Sequence, residues 1–431
     1  MINRHISMAA LLAVFCIALT AHAAEKPAAA NDACAFPTAP LATQEETAWR
    51  IFVAMNCKAS SGALTWETWT TQACLNNPSD CKGFGRFHQS QLRNGSGSDD
   101  PKRTQGCSPM TVSGDKHLLD PFVPTNLSTK PVFCEEVTVN QPEMDYARPK
   151  GLLSANGQTD YLFSQKGTIT FPTKAIEVKV DWVPASSFTN AKFDCTKRNG
   201  QIYLEEIEGV CYAMASVHIS SKLYPNWLWA TFEPQYAITN PNRCNLALYN
   251  ACYDPWGSDP AESDGRNTNT TPALQALFTD AGTALDPAFQ NYRLTGTQTE
   301  FNQPETSNAM LGNSFTEFNA QVKPQEASCI TCHAYAQRDA NGNTPGGGAP
   351  KGDAKIGTPS ILTGHKSLDF SWFLGFGVPT QACQDINAGP IFSNNDAKTK
   401  CPAVCAVALR TWKGQWTTTE PGVQSVCGCC L

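Results

Sequence analysis

The chain has 431 residues and a formal net charge of −6, and 16% of its residues are charged while 41% are hydrophobic. This composition excludes a nucleic-acid binder, which would need a basic face, and a disordered chain, which would need fewer apolar residues. The length is sufficient for two or three domains.

The first 23 residues predict a secretory signal peptide. A basic opening at Arg4 is followed by the apolar run 8–20 and by Ala21-His22-Ala23, after which we expect cleavage. The run is too short for a typical membrane span, and no later run is long and apolar enough. We therefore expect a bacterial protein that is periplasmic or secreted and has no membrane span.

The cysteines are numerous. Of the 19 cysteines, Cys16 lies in the predicted signal peptide, and the others form groups of even size: ten between residues 34 and 252, two at Cys329 and Cys332, and six between residues 383 and 430. In an oxidising compartment most should pair. Each group could be satisfied internally, although the connectivity is not readable from sequence.

Helices and loops are predicted by local signals. Thr43-x-x-Glu46 is a capping box at the start of the helix "TQEETAWRIFVAMNC". Residues 75–130 are rich in Asn, Ser, Asp, Gly and Pro, which predicts long surface loops. Residues 272–284 and 309–322 can form further helices.

Strands are predicted by alternation. The segment "KAIEVKVDWVP" alternates apolar side chains with Glu177, Lys179 and Asp181, which predicts a half-buried strand. The segment "QIYLEEIEGVCYAMASVHIS" predicts two strands that turn near Glu208-Gly209. The aromatic run "NWLWATFEP" is predicted to lie in the core.

The stretch "EASCITCHAYA" holds a Cys-x-x-Cys-His motif formed by Cys329, Cys332 and His333. Covalent haem attachment needs two thiols that add to the two vinyl groups and an imidazole that binds the iron, and this motif supplies them. We therefore predict one covalent haem c, with His333 as the ligand of its iron.

Two other interpretations of the motif are open. A zinc site would need a second pair of ligands at a suitable spacing, and His365 alone does not complete a set. Cys329 and Cys332 could also form one more disulfide.

The sixth ligand of the iron is not fixed by the motif. The candidates are His218, Met310, His365 and Met214, or an exchangeable position. A His or Met ligand would favour electron transfer, whereas an open position would allow ligand or peroxide chemistry. Met214 alternates within a predicted strand and is more typical of a core residue, and His218 could equally be a hydrogen-bonded core histidine.

Several blocks resemble a family of exported bacterial cytochrome c-like proteins. The blocks are "AWRIFVAMN", "HISSKLYPNWLWATFEP", "YRLTGTQTEF", "MLGNSFTEF" and "SCITCHAYA", and they keep their order. The resemblance covers roughly residues 44–376 and implies a mono-haem protein. We accordingly predict a signal peptide over 1–23, a leader over 24–43, a cytochrome c-like domain over 44–378 and a separate domain over 379–431.

The C-terminal segment has a small predicted core. Asn394 or Asn395 can cap a helix from about Asp396 to Leu409, in which Pro402 produces a bend. The segments "TWKGQWTTT" and "GVQSVCGC" predict two strands. Because so short a segment buries little apolar area, its six cysteines are expected to stabilise it.

The blocks "AGPIFSNNDA" and "WKGQWTT" of this segment resemble the mannan-binding lectin domain. The resemblance covers nearly all of residues 384–430 and implies one helix on a three-stranded sheet that binds high-mannose glycans. It implies a site formed by Phe392, Ser393, Asn394, Gly414, Gln415, Trp416, Thr417 and Thr418. The alternative is that Trp416 is a core residue and that the threonines only favour a strand.

The predicted fold class is α+β with several domains: an irregular, disulfide-rich haem domain with strands and a helical haem motif, and a small domain of one helix on a three-stranded antiparallel sheet. The leading hypothesis is an exported mono-haem protein, for electron transfer to an unknown redox partner or for haem ligand chemistry, that binds mannose-containing oligosaccharide. The alternatives are a haem peroxidase or other oxidoreductase acting at polysaccharide, and a disulfide-rich adhesin without haem.

Overall fold

The structure is a computed structural model, and it describes residues 32–72, 107–109, 132–189, 192–198, 200–207, 209–235, 252–259, 269–301, 311–313, 317, 322, 327–346, 350, 360–376, 378, 383–408 and 410–430. The predicted signal peptide, the first part of the leader, most of the loop region 75–130 and Met310 lie outside these residues.

The larger sheet is antiparallel. The strands that the structure describes in it are β1 Thr70–Thr71, β2 Cys107–Pro109, β3 Val132–Val139, β4 Ile176–Pro184, β5 Leu204–Ile207, β6 Val210–Ser221, β7 Leu228–Pro234 and β8 Tyr292–Gln298. They form an eight-stranded sheet in the order β1-β3-β4-β6-β7-β8, with β2 paired to β3 and β5 paired to β6. Two short strands, β9 Gln337–Arg338 and β10 Lys366–Ser367, pair in a separate two-stranded sheet. The predicted hairpin is confirmed, and Gly209 between β5 and β6 has a positive φ of 79°.

Short helices surround this sheet. Their bounds are α1 Gln44–Asn56, α2 Gln141–Ala147, α3 Ala155–Thr159, α4 Pro272–Ala281, α5 Cys329–Ala334 and α6 Trp372–Phe376. The predicted start of α1 is confirmed, because the Thr43 side chain accepts a hydrogen bond from the backbone N–H of Glu46 at 3.0 Å. The predicted helix over 309–322 lies mostly outside the described residues.

One face of the sheet packs against α1 and α4. Phe52 on α1 stacks on Phe232 of β7 with ring centroids 4.2 Å apart, and Trp49 meets the same ring edge-on at 4.9 Å. Leu274 and Phe278 of α4 belong to the same core. The run "NWLWATFEP" contributes to it as predicted, because every residue of β7 is buried.

The other face of the sheet packs against α2, α5 and α6. Its core joins Trp229 of β7 to Met144 of α2, Ile330 of α5 and Leu374 of α6. The helix that carries the Cys-x-x-Cys-His motif is therefore held directly on this second face.

The prediction that β4 is half-buried is wrong, because both of its faces are covered. Its polar side chains point to the second face, where Lys179 and Asp181 find partners rather than water. Lys179 Nζ lies 2.8 Å from Glu135 Oε2 on β3, and Ser216 Oγ donates to Asp181 Oδ2 at 2.8 Å. Buried charges are tolerated when they are paired in this way.

The C-terminal residues form a separate small core. Its elements are β11 Cys383–Gly389, α7 Asn394–Val407, β12 Thr411–Glu420 and β13 Gln424–Cys430, and the strand order is β11-β13-β12. The predicted helix and strands are thus present. The predicted caps Asn394 and Asn395 are wrong: Ser393 caps α7 and accepts the N–H of Asp396 at 3.2 Å.

Disulfides occur in both parts of the molecule. Cys34–Cys57 and Cys195–Cys211 stabilise the region of the larger sheet, while Cys401–Cys427 and Cys405–Cys429 join α7 to β13. Three further cysteines are also disulfide-bonded, namely Cys134, Cys252 and Cys430. This usage fits an oxidising, extracytoplasmic compartment.

A search of the described residues finds no helix that is both long and apolar enough to cross a membrane.

Candidate functional sites

The motif helix α5 is fixed at its N-terminus and on its buried side. Ser328 caps it and accepts the backbone N–H of Thr331 at 3.4 Å. Ile330 is fully buried, and its backbone N–H donates to Gln298 Oε1 of β8 at 3.2 Å. Cys329 and Cys332 both lie on this helix and are half-buried. Both are free thiols rather than partners in a disulfide.

The imidazole of His333 has a defined orientation. Its Nδ1 lies 2.8 Å from the carbonyl oxygen of Phe370. Because a carbonyl can only accept, Nδ1 carries the proton and Nε2 keeps its lone pair. The ring packs against Trp229 at a centroid distance of 4.3 Å. Burial lowers the pKa of His333 to about 4, so the ring is neutral at pH 7.

The Phe370 carbonyl is presented by an unusual backbone segment. Asp369 and Phe370 both have positive φ values, 53° and 69°, which are rare for residues other than glycine. Asp369 is held in place by Lys222 Nζ and by the N–H of Phe171, each at 2.7 Å. Such a conformation persists only where its surroundings enforce it.

His218 is the sixth-ligand candidate that shares this environment. It lies on β6, in register with Lys179 of β4. Its side chain is 14% exposed, and its Nε2 is shielded from solvent without a hydrogen-bond partner, 3.9 Å from Glu317 Oε1. Burial, followed by the charges of Lys179 and His333, lowers the pKa of His218 to about 3. His218 points to the second face of the sheet, the face against which His333 packs on Trp229.

The other candidates lie in different environments. His365 precedes the strand Lys366–Ser367, and its Nδ1 lies 3.3 Å from the Thr363 carbonyl. Met214 is fully buried in the core on the opposite face of the sheet, beside α1. Neither is grouped with His333, and Met310 is outside the described residues.

The donor groups of the motif are two thiols and one imidazole. In the part of the chain that the structure describes, no three His, Cys, Asp or Glu side chains converge as they would around a metal ion. Haem attachment does not require such convergence, because the thiols bond to carbon and only the imidazole binds iron. Burial, the charge of Glu317 and the neighbouring Cys332 raise the pKa of Cys329, so its thiol is protonated.

The second candidate site lies on the small domain, around the start of α7. Trp416 of β12 is half-buried and packs against the small core, and its Nε1 donates to Asn394 Oδ1 at 2.8 Å. Phe392 is 73% exposed, and its backbone N–H donates to Asp396 Oδ2 at 3.1 Å. Trp416 and Phe392 thus each bond to a residue at the polar N-terminus of α7.

A bulge in β12 borders this surface. Trp412 pairs with Cys429 and Trp416 with Cys427, so three residues of β12 oppose one of β13. Gly414 at the bulge has a φ of 95°, a conformation that favours glycine. Trp412 Nε1 donates to the carbonyl of Gln415 at 2.7 Å and fixes the bulge.

The bulge and the residues after it present polar groups to solvent. Gly414, Gln415, Thr417 and Thr418 are exposed, and Thr418 Oγ1 lies 3.3 Å from Ser425 Oγ. The interpretation of Trp416 as a purely internal residue does not fit, because its indole reaches the exposed Asn394. A face of aromatic rings beside hydroxyl and amide groups can bind a sugar, whose C–H groups stack on a ring and whose hydroxyls need partners.

Residues 394–429 match the family model MVL, mannan-binding protein. No curated protein and no solved structure matches the chain significantly. The family match supports carbohydrate binding by the C-terminal part of the chain. Asn394, the bulge and Trp416 lie within the matched range, while Phe392 and Ser393 immediately precede it.

Sequence reasoning missed the residues that orient His333. Trp229 and Phe370 were visible only as members of apolar runs, and nothing local marked them as neighbours of the motif. A third residue that the sequence did not reveal is Trp372, whose Nε1 donates to the carbonyl of Cys332 at 3.0 Å. The available signal was composition, because aromatic residues concentrate in "NWLWATFEP" and "LDFSWFLGF".

Proposed function

We propose that this protein carries one haem c attached to Cys329 and Cys332, with His333 as an axial ligand, and that its C-terminal domain binds mannose-containing glycans. The observation that carries the first half is the Nδ1–H of His333 donated to the Phe370 carbonyl. Histidines that bind a metal through Nε2 commonly donate their other N–H to a carbonyl or carboxylate.

The residues around the motif fit a haem. When bound, the haem supplies a one-electron redox centre. Cys329 and Cys332 hold it covalently, Phe370 orients His333, and Trp229 supports the imidazole ring. His218, with its unpartnered Nε2, is the candidate for a second ligand of the iron, and such a ligand would favour electron transfer over an exchangeable site.

The surface around Trp416 supports the second half of the proposal. Trp416 and Phe392 offer rings for stacking, while Asn394, Gln415, Thr417 and Thr418 offer hydrogen-bonding groups. Ser393 and Gly414 fix the backbone on either side. Mannose is proposed as the sugar because residues 394–429 match the mannan-binding family model.

The two halves combine into one role. A glycan-binding domain raises the local concentration of the attached redox domain at a glycan-bearing surface, without any new contact between the domains. We place this role in the bacterial periplasm or outside the cell, where disulfides persist. The redox partner belongs to the same compartment.

Expression in a bacterium with the c-type maturation system tests the haem. Intact mass and a reduced-minus-oxidised absorption spectrum should reveal one covalent haem. The variant Cys329→Ser/Cys332→Ser should lose it, while Cys34→Ser/Cys57→Ser should keep it. A wild-type chain without added mass or a reducible band would overturn this half.

Calorimetric titration with a high-mannose oligosaccharide tests the lectin. Trp416→Ala should weaken binding by roughly tenfold or more, equivalent to about 1.4 kcal/mol. Val407→Ala is the control, because Val407 is 89% exposed at the end of α7. Equal affinity of all three proteins, or no binding by any, would contradict the assignment.

A further inference from the structure

Four ionisable residues are buried together on the side of the sheet that carries the motif helix. Glu143 lies on α2, Glu177 on β4, Lys222 just after β6 and Asp369 just before α6, and each is at most 7% exposed. Three acids and one base give an excess of negative charge inside the protein, which is costly unless it is neutralised.

The base and one acid neutralise each other. Lys222 Nζ lies 2.7 Å from Asp369 Oδ1 and also donates to the carbonyl of Pro225 at 2.8 Å. Asp369 Oδ2 accepts the backbone N–H of Phe171 at 2.7 Å. This pair therefore leaves no charge to compensate Glu143 or Glu177.

The two glutamates lack donors. Glu143 Oε1 accepts Ser371 Oγ at 3.5 Å, but Glu143 Oε2 and Glu177 Oε1 are buried without any hydrogen-bond donor. The two carboxyl groups are hydrogen-bonding neighbours. Two adjacent carboxylates cannot bond to each other unless one is protonated, so a single proton between them satisfies both oxygens.

The electrostatics agree with this geometry. Burial, followed by the charges of Glu177 and Asp369, raises the pKa of Glu143 well above its ordinary value. Burial also raises the pKa of Glu177, to about 7. The nearby hydroxyls of Tyr146 and Tyr161 both point to the carbonyl of Thr168 and do not donate to the pair.

A short connection joins this pair to His333. Phe370 lies between Asp369 and Ser371 in the chain. Asp369 bonds to Lys222, and Ser371 bonds to Glu143. Phe370 in turn presents its carbonyl to Nδ1 of His333. Because Asp369 and Phe370 have left-handed backbone conformations, their geometry depends on these flanking contacts.

We propose that Glu143 and Glu177 form a proton-binding site that holds one shared proton, and that the segment Asp369–Ser371 couples this proton to the orientation of His333. The first part is independent of the proposed function, whereas the second rests on it. Coupling of this kind is reciprocal: a change at His333 alters proton binding by the pair as much as the proton alters His333.

Infrared spectroscopy of the full-length protein tests the shared proton directly. A protonated, buried carboxylic acid gives a C=O band above the amide I region. We expect this band at pH 6 and a partial decrease as the pH rises past 7, where Glu177 titrates while the raised pKa of Glu143 keeps one proton on the pair. Glu143→Gln/Glu177→Gln should abolish the band, because an amide mimics the protonated acid in shape but carries no carboxyl group.

Glu136→Gln is the matched control. Glu136 is also buried, but it accepts Trp182 Nε1 at 3.2 Å on the opposite side of the sheet. This variant should keep the pH-dependent band. The absence of the band from the wild-type protein, or its persistence in the double variant, would overturn the proton-binding site.

The midpoint potential of the attached haem tests the coupling. In the wild-type protein the potential should fall as the pH rises around 7, because Glu177 then gives up a proton and the negative charge of the pair increases. The steepest possible pH dependence of the potential is a tenfold change in the reduction equilibrium per pH unit, about 59 mV for one electron. The slope should be markedly smaller in Glu143→Gln/Glu177→Gln and unchanged in Glu136→Gln.

The outcomes separate the proposals. A protein without haem overturns the proposed function and the coupling with it, while the infrared band still decides the proton-binding site. A haem protein whose potential has the same pH dependence in wild type and double variant overturns the coupling alone.

Discussion

Strand β6 of the larger sheet and strand β13 of the small sheet are both central and both buried, but their neighbours differ. On one side of β6 lie the aromatic side chains of α1 and β7, and on the other side lie paired charges and the motif helix. By contrast, β13 is joined to α7 by two disulfides, and the small core beside it holds Ile391, Ala397 and four disulfide-bonded cysteines.

The difference shows how the size of a domain limits its sources of stability. The larger region buries enough apolar area to accommodate charged side chains such as Lys179 and Glu177 on its second face. The small domain has no comparable apolar area, and covalent links replace it. Perturbations of packing, cross-links, pH and helix caps should therefore affect the two regions differently.

Removal of a core aromatic ring should have the largest effect and should act on the larger region alone. Phe52→Ala removes the ring stacked on Phe232, and we expect the free energy of unfolding to fall by about 3–5 kcal/mol. Chemical denaturation followed by tryptophan fluorescence measures this loss. Oligomannose binding should be retained, and a parallel loss of binding would contradict the independence of the two regions.

Removal of one disulfide from each region compares the regions at nearly equal loop length. Cys401–Cys427 spans 26 residues and Cys34–Cys57 spans 23, so each closure is worth about 3 kcal/mol in the unfolded chain. Cys401→Ala/Cys427→Ala should unfold the small domain, whereas Cys34→Ala/Cys57→Ala should leave the larger region folded but less stable. Limited proteolysis with mass spectrometry distinguishes the fragments. Equal protease resistance of both variants would contradict the comparison.

Acid should destabilise the larger region first. The pKa of His218 is lowered to about 3, so the unfolded chain binds a proton below about pH 6.5 that the folded chain does not bind. His218 alone should therefore lower the free energy of unfolding as the pH falls from 6.5 towards 3, by at most about 1.4 kcal/mol per pH unit.

This acid effect is best measured in the variant Cys329→Ser/Cys332→Ser, which has no thiols for the proposed haem, with and without His218→Gln. The added substitution should reduce the slope. In the small domain the backbone N–H of Phe392, followed by Lys400, lowers the pKa of Asp396, and its partly exposed, solvent-screened carboxylate should contribute little. An unchanged slope in His218→Gln would be inconsistent with a neutral, buried imidazole.

Loss of a helix cap should have the smallest effect and should be similar in size in both regions. Ser393 caps α7 and Thr43 caps α1 through the same side-chain-to-backbone hydrogen bond. Ser393→Ala and Thr43→Ala should each cost about 1 kcal/mol. Each substitution should shift only the unfolding transition of its own region, and calorimetry that found one common transition shifted by both would argue against separate units.

Local patterns were sufficient for several of the elements. The capping box at Thr43 predicts α1 because the residues that decide it are adjacent in the chain, and alternation predicts β5, β6, β12 and β13 for the same reason. The cap of α7 was misassigned by one or two residues, since Ser393, Asn394 and Asn395 are all good caps. Only the backbone geometry at Ser393 distinguishes them.

Long-range contacts were not predictable. The strand β4 alternates like a solvated strand, but Lys179 and Asp181 meet partners on β3 and β6 that the alternation does not reveal. Glu143 and Ser371 are 228 residues apart in the chain, so no local pattern could bring them together. The motif itself was recognisable, whereas the residues that orient His333 required the fold.

Strand β12 lies at one edge of the small sheet, and edge strands offer unpaired N–H and C=O groups to which another chain can add. The bulge at Gly414 interrupts the regular ladder along this edge. A second copy of the chain therefore meets a broken register instead of a straight strand. The three-residue bulge that exposes Gln415 to solvent thus also protects the protein against edge-to-edge aggregation, even where many copies gather on one surface.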